Sequence, residues 1–517
     1  MSSKKHRKKK GLPPRNSSPL VESEGCFFRL KEKEAGKRNF FGRYSFFFIL
    51  GIIILVYFVH LYVADYQHRG RQTTMDEMVY TRLGFQLKNG EGYNTLQIYE
   101  EYLKAGHKLP TDFSRPLFKH PPFFSFLVSL SYTFQKKKAS YPFQELYASA
   151  SKVSNIMGCL LILLVFLIGG KSYDDSRVGF LAALLLVFDV NYLNCSQKVW
   201  METTLAVMIW LSLYLLYKSM DQKWYFPLAG ITVGLALLTK YTAVIVFPAV
   251  LTYAALYRRH VFHQYHFYIF LFVSILMFFP WIYANIHQYG GWRSLPEIFS
   301  RHGWVFNQIA PFIKVFVAVS IMIMATMILK SRCSFLREPM EKVASFIPGV
   351  FSGISCLVLV YLLIQSDFRQ SLIKSFSWSG FPRSGWEMYM FNQEPRYFYF
   401  KQFLEYSPFY IFFFMALVVA PVKKQADKFL FITSAWMLVF ASLWGSYQGR
   451  YILYLTPAAM LMTASILVLI WDRLMSINSF KWKMTGVSIY VLMIGYFLVK
   501  TGRVDYFHAI NNNVAYY

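Results

Sequence analysis

Apolar runs recur along almost the whole chain, separated by short polar joints. They lie at 44–64, 147–170, 178–195, 203–219, 225–239, 241–257, 266–286, 309–329, 345–365, 408–422, 428–445, 451–470 and 484–500. The first, YSFFFILGIIILVYFVHLYVA, is long enough to cross a bilayer. Shorter runs read as tilted spans. The pattern predicts an all-α polytopic bundle of about thirteen transmembrane helices, with an error of about two. The polar interval 65–146 contains two further apolar-patterned stretches, 75–88 (MDEMVYTRLGFQLK) and 121–135 (PPFFSFLVSLSYTFQ). Both are too short to cross and read as helices lying along the interface. Residues 1–43, basic and rich in Ser with Pro13 and Pro14, read as a disordered cytoplasmic tail. Residues 44–500 then form the membrane domain and 501–517 a short extracytoplasmic tail. No solenoid-type repeat is visible.

Composition agrees with that layout. The chain of 517 residues is 55% hydrophobic and 19% aromatic, with mean hydropathy +0.33. A soluble fold has too little interior to hide so much apolar surface. The net charge of +27 does not indicate nucleic-acid binding, because the basic residues sit in the tail and the joints. With the N-terminus inside, the joints 171–177, 218–224, 257–260, 330–342, 422–428 and 471–483 are cytoplasmic, and each contains Lys or Arg. The outward joints are 65–146, 196–202, 287–308, 365–407 and 446–450; they too carry some basic residues, notably Lys136 to Lys138. Run 44–64 lacks a small-residue cleavage site and reads as an anchor. The cysteines at 26, 159, 195, 333 and 356 show no CxxC spacing. They indicate neither a disulfide framework nor a zinc site.

The topology puts Asp76, Glu77, Lys119, His120, Glu202, Lys240 and Arg450 on one, outward, face. A carboxylate at a bilayer edge is costly unless partnered, so Asp76 and Glu77, flanked by Met75, Met78, Val79 and Tyr80, are either solvated acids or site residues. Lys119 and His120 precede Pro121 and Pro122, which suit a helix start. They are either ordinary polar residues before that start or hold an anion at it. Glu202 is either an acid favoured by a helix N-terminus or a second active-site acid. Lys240, between two apolar runs, either snorkels or holds a phosphate. Arg450 and Tyr451 open an outward helix, where a cation opposes the helix dipole and invites an anionic partner. An interfacial Arg–Tyr anchor is the alternative, and it is the preferred reading for Arg396.

Six stretches carry a resemblance: DEMVYTRLGFQLKNGEGY (76–93), KHPPFFSFL (119–127), the Glu202 hinge, GLALLTK (234–240), FPWIYANIHQYGGW (279–292) and GRYILYLTP (449–457). In order, spacing and sidedness this set resembles the GT-C fold glycosyltransferases that use polyprenyl-phosphate sugars, the protein mannosyltransferases and lipid A aminoarabinose transferases. His120-Pro121-Pro122 fits the mannosyltransferases better. The resemblance implies transfer of a hexosyl or pentosyl group from a polyprenyl-phosphate carrier to an extracytoplasmic lipid, glycan or protein, usually with inversion. It matches Asp76 to the catalytic acid of the first loop, here expected as general base. Lys119, Lys240 and Arg450 are then expected to hold the leaving phosphate, with His120 in support, and Glu77 and Glu202 to orient acceptor or cations. A divalent metal is compatible, but no DxD motif or His cluster demands one. The expected partners are the lipid-linked donor, the acceptor and membrane lipids. The expected location is a bacterial inner membrane with the active site on the periplasmic side. The alternative is a polytopic transporter or flippase for a lipid-linked or small solute. Against it, no paired repeat halves are visible, and the charged motifs gather at one surface.

Overall fold

The computed structural model describes residues 47, 50–59, 74–94, 120–133, 143–288, 337–377, 389–390, 397–443 and 446–511. The chain divides into two compact units, Met1–Ile52 and Ile53–Tyr517. In the first, only Phe47 and Leu50 to Ile52 are described, and they are helical. The second forms the bundle.

The helices in chain order are α1 (Leu50–Val59), α2 (Met75–Asn89), α3 (Phe123–Ser131), α4 (Phe143–Tyr173), α5 (Ser176–Val187), α6 (Val190–Gln197), α7 (Glu202–Ser219), α8 (Tyr225–Thr239), α9 (Val246–Tyr257), α10 (Tyr265–Gln288), α11 (Arg337–Ile364), α12 (Ser366–Phe376), α13 (Phe398–Tyr406), α14 (Tyr410–Val419), α15 (Gln425–Leu443), α16 (Thr456–Met475) and α17 (Phe480–Asn511). Two-residue strands, β1 (Tyr389–Met390) and β2 (Ser446–Tyr447), pair antiparallel with Tyr389 opposite Tyr447.

Among the described residues, five helical stretches are long and apolar enough to cross a membrane: Glu145–Tyr173, Tyr265–His287, Phe346–Ile364, Thr456–Met475 and Phe480–Val504. A sixth appears if α5 and α6 count as one span. This falls short of the expected thirteen for two reasons. Run 309–329 lies outside the described residues, and several runs form shorter apolar helices such as Tyr225–Thr239 and Tyr241–Tyr257. Run 178–195, expected as one span, bends by 65° between α5 and α6. Asp189 supplies the reason. It is buried and its carboxylate caps α6, accepting from the Tyr192 N–H at 2.8 Å and from the Tyr410 hydroxyl at 2.6 Å. A side chain that takes over backbone donors ends one helix and starts another.

Burial separates inner from outer helices. In their apolar windows α4 and α16 are each 56% buried, while α10, α11 and α17 are 17%, 6% and 17% buried. Helices apolar all round yet unburied by protein are solvated by lipid. The chain is an integral membrane protein.

Both interfacial stretches form helices. Thr74 and Glu77 make a capping box at the start of α2, and Gly90 ends it in the left-handed region (φ 74). Helix α3 starts behind Pro122. The two pack closely at Gly84, where a Cβ would stand 2.5 Å from Val128 Cγ1. Their shared core, including Tyr80, Leu83, Phe124, Val128 and Tyr132, continues onto Leu146 and Ala150 of α4 and onto Val199 and Met201. Helices α2 and α3 are thereby fixed to the turn between α6 and α7.

Candidate active site

Helix order brings the site together. α7 begins and α8 ends at the same end of the bundle, so Glu202 and Lys240 meet there. Lys240 Nζ lies 3.0 Å from Glu202 Oε1. The 3₁₀ turn Gly449–Ile452 precedes α16 at this end. The Trp210 indole N–H of α7, donating to the Tyr454 carbonyl at 2.7 Å, holds the turn to α7. Gly449 has no room for a side chain, because a Cβ would overlap Tyr406 and press on Gln402 of α13. The turn therefore lies against α13 and directs Arg450 inward.

Arg450 is the hub. Its Nη2 is 2.6 Å from Asp76 Oδ2, and its Nε is 3.9 Å from Glu202 Oε1 and donates to Gln448 Oε1 at 2.8 Å. The guanidinium lies 4.6 Å from the Trp200 ring centre and 5.3 Å from that of Tyr451. Lys240 Nζ is 4.5 Å from the Tyr451 ring, and Lys198 Nζ 4.5 Å from the Trp200 ring. Four alternating charges, Asp76–Arg450–Glu202–Lys240, thus form a chain between aromatic rings that exclude water and strengthen the attraction. Burial alone would push the Arg450 guanidinium down; Asp76 and Glu202 outweigh it and hold it well above its usual value. Burial, and after it the same two carboxylates, pushes the Tyr80 phenol well above its ordinary range, so it remains neutral.

Exposure differs along this chain of charges. The Asp76 side chain is 36% exposed, Lys240 19%, Arg450 13% and Glu202 5%. The solvent-facing member is Asp76, and a substrate would meet it first.

The expected neighbours divide. Glu77 is buried in a cap. One carboxylate oxygen accepts from the Thr74 N–H (2.9 Å) and hydroxyl (3.0 Å). The other accepts from the Tyr147 hydroxyl (2.7 Å) and the Val199 N–H (3.4 Å). The His120 ring meets Tyr80 at 5.5 Å, and its carbonyl accepts from the Tyr93 hydroxyl at 3.2 Å. Lys119 and Arg396 lie outside the described residues. Sequence reasoning did not single out Trp200, Lys198, Gln448 or Tyr147. The signal for the first two was present in QKVWMET, a charged and aromatic interruption between two apolar runs. Among the described residues, no group of three or more His, Cys, Asp or Glu is placed to hold a metal ion.

Comparison with known proteins agrees with this architecture. Over 91% of this chain, the fold matches the Archaeoglobus fulgidus oligosaccharyltransferase in its apo form, with TM-score 0.57 and 15% identity, across 56% of that protein. The same figures hold for the archaeal oligosaccharyltransferase AglB in complex with an inhibitory peptide and a dolichol-phosphate. The chain thus spans little more than half the length of these structures. A weaker likeness to ArnT from Cupriavidus metallidurans bound to undecaprenyl phosphate (TM-score 0.47, 11% identity, 90% of this chain and 76% of that one) adds nothing to the argument. No curated protein sequence matches the chain. Its architecture is the GT-C fold of membrane glycosyltransferases. Within it, residues 119–283 match the dolichyl-phosphate-mannose-protein mannosyltransferase family.

Proposed function

We propose that the protein is a membrane glycosyltransferase that moves a hexosyl or pentosyl group from a polyprenyl-phosphate carrier to an acceptor outside the cytoplasm. The observation that carries this reading is the Asp76–Arg450–Glu202–Lys240 chain at one end of the bundle. It puts a carboxylate that is 36% exposed against Arg450, with Lys240 joined to the same group through Glu202. The GT-C fold and the mannosyltransferase match over residues 119–283 support it, as does the dolichol-phosphate bound by AglB. The charge of the joints supports a site on the extracytoplasmic side, and we infer a bacterial inner membrane as the setting from the departures from the eukaryotic pattern.

In this mechanism the prenyl tail stays in the bilayer and the donor phosphate enters beside Arg450 and Lys240. Phosphate competes with Asp76 for the guanidinium, which leaves the carboxylate available to the acceptor. Asp76 then takes the proton of the acceptor hydroxyl as its oxygen attacks the anomeric carbon, and the bond from that carbon to the phosphate oxygen breaks. The leaving phosphate carries the departing electron pair, and Arg450 and Lys240 stabilise it. Glu202 holds both cations in place. Glu77 we assign to fixing the start of α2, and therefore to the position of Asp76. His120, beside Tyr80, and Lys119 remain candidates for the donor phosphate.

A transporter is the poorer reading, because the charged groups gather at one end of the bundle. The deciding experiment is transfer from polyprenyl-phosphate sugar in membranes carrying Asp76→Asn. Positioned base catalysis contributes about 10²–10⁴-fold, and a loss of that size is expected with normal expression. Near-normal turnover would sink the assignment of the base. Lys240→Ala should raise the donor KM more than the acceptor KM.

A further inference from the structure

When a donor phosphate displaces Asp76 from Arg450, the guanidinium loses its shortest contact, that of Nη2 at 2.6 Å. Gln448 and Tyr451, which also hold it, lie in the same segment of chain as Arg450 and travel with it. Glu202 stands 3.9 Å from Nε and is already paired with Lys240 at 3.0 Å. The Trp200 ring, 4.6 Å from the guanidinium carbon, comes from a different element, the turn between α6 and α7. On the reading of Arg450 as a ligand of the donor phosphate, we propose that Trp200 is a positioning residue: its ring holds Arg450 in place once the phosphate has taken the position of Asp76.

The chemistry of the contact suits that task. A ring face attracts a cation through its quadrupole, so it restrains the guanidinium and leaves the N–H donors to the phosphate. A carboxylate in the same place would compete for those donors. Desolvation strengthens the attraction: Trp200 is 3% exposed and the Arg450 side chain 13%.

The ring is itself fixed. Its indole N–H donates to the Thr74 hydroxyl oxygen at 3.2 Å. That hydroxyl donates to Glu77 Oε2 at 3.0 Å and accepts from the Glu77 N–H at 3.4 Å, so its one donor and both acceptor positions are in use. The neighbouring Val199 N–H donates to Glu77 Oε1 at 3.4 Å, and the Trp200 carbonyl accepts from the Ser154 hydroxyl of α4 at 3.3 Å. Trp200 is thus tied to the start of α2, to α4 and, through its face, to Arg450. Asp76 follows Thr74 in the first turn of α2. Base and cation are therefore referred to one rigid side chain even when their own contact is broken.

The test is the affinity of the purified full-length protein in detergent for undecaprenyl phosphate, with undecaprenol as the comparison that lacks the phosphate. It is read by microscale thermophoresis on variants whose folding is checked by thermal melting. Wild type should bind the phosphate more tightly than the alcohol. Trp200→Met removes the ring face and should weaken binding of undecaprenyl phosphate about tenfold. Trp200→Phe keeps a face and should lose no more than about threefold. Undecaprenol should bind equally to all three. Thr74→Val leaves the ring but frees it, and should weaken phosphate binding about threefold, with Thr74→Ser close to wild type. Loosening of the α2 cap alone would have the opposite sign, because Asp76 is the competitor of the phosphate. The Thr74 pair reads out the same contact if Trp200→Met does not fold. Equal losses in Trp200→Phe and Trp200→Met, undecaprenol binding that falls in parallel, or Thr74→Val that binds as tightly as wild type would overturn the role of Trp200 and leave the donor reading standing. Wild type that binds undecaprenyl phosphate no better than undecaprenol would overturn both.

Discussion

The two ends of the bundle each hold an arginine between two carboxylates, and the molecule treats them differently. At one end Arg450 meets Asp76 and Glu202 between Trp200 and Tyr451, with its side chain 13% exposed. At the other, Arg177 bridges Asp175 (2.7 Å) and Asp472 (2.7 Å) with side chains 48%, 25% and 50% exposed. The same α16 serves both, with the Arg450 turn before its first residue and Asp472 in its last turn. Exposed pairs are screened and contribute little to stability. Buried ones are costly to break, because the remaining charge stays desolvated. The Arg177 group reads as a clasp between α5 and α16. The Arg450 group keeps Arg450 and Glu202 largely out of water and leaves only Asp76 facing solvent.

The largest separation between the ends should come from removing each arginine. Arg450→Met should cost about 3 kcal/mol of unfolding free energy in detergent, the lower end for a broken buried pair because Asp76 is partly exposed. Arg177→Met should cost under about 1 kcal/mol. Equal losses would mean that burial is not what distinguishes the two groups.

The Glu77 cap ranks next. Glu77→Gln keeps the shape but replaces one acceptor oxygen by a donor facing Thr74 or Tyr147. A loss of about 1 kcal/mol is expected, together with a fall in transfer activity as Asp76 shifts. Unimpaired activity in a destabilised variant would detach the cap from the site.

The smallest effect concerns acid. Burial would raise the Asp175 carboxyl, but the hydrogen bonds from Arg177 prevail and hold it below its usual value. A depressed carboxyl contributes stability that is complete above its unfolded pKa of about 4 and is lost as pH falls through the folded value. Stability curves for wild type and Arg177→Met should therefore converge below about pH 4. A constant difference down to pH 2 would remove Asp175 from the clasp.

Much of this was legible in the chain. Charge in the joints assigned 171–177, 218–224, 257–260, 422–428 and 471–483 to one side. In the structure Arg177 meets Asp472, Arg258 meets Asp221 at 3.6 Å, and the Tyr173 hydroxyl donates to Asp427 at 2.7 Å, all away from Arg450. Asp76, Glu202, Lys240 and Arg450 were expected on one face and do converge. Their pairing could not be read, since nothing local in GRYILYLTP or GLALLTK says that Lys240 takes Glu202 while Arg450 spans both acids. The bend at Asp189 was also hidden. An acid inside an apolar run marks a polar requirement, but only the Tyr410 hydroxyl, supplied from 221 residues away, identifies how it is met.

Hydrophobic periodicity and the distribution of lysine and arginine determined that this is a helical membrane protein with Asp76, Glu202, Lys240 and Arg450 at one end of the bundle. Those are properties of each segment against its solvent, and solvent preference is written locally. Which acid faces which cation, which glutamate is spent on a helix cap and which ring faces Arg450 were decided only by packing. Each of these depends on distances of a few ångströms between segments far apart in the chain, and those distances follow from how the helices close on one another.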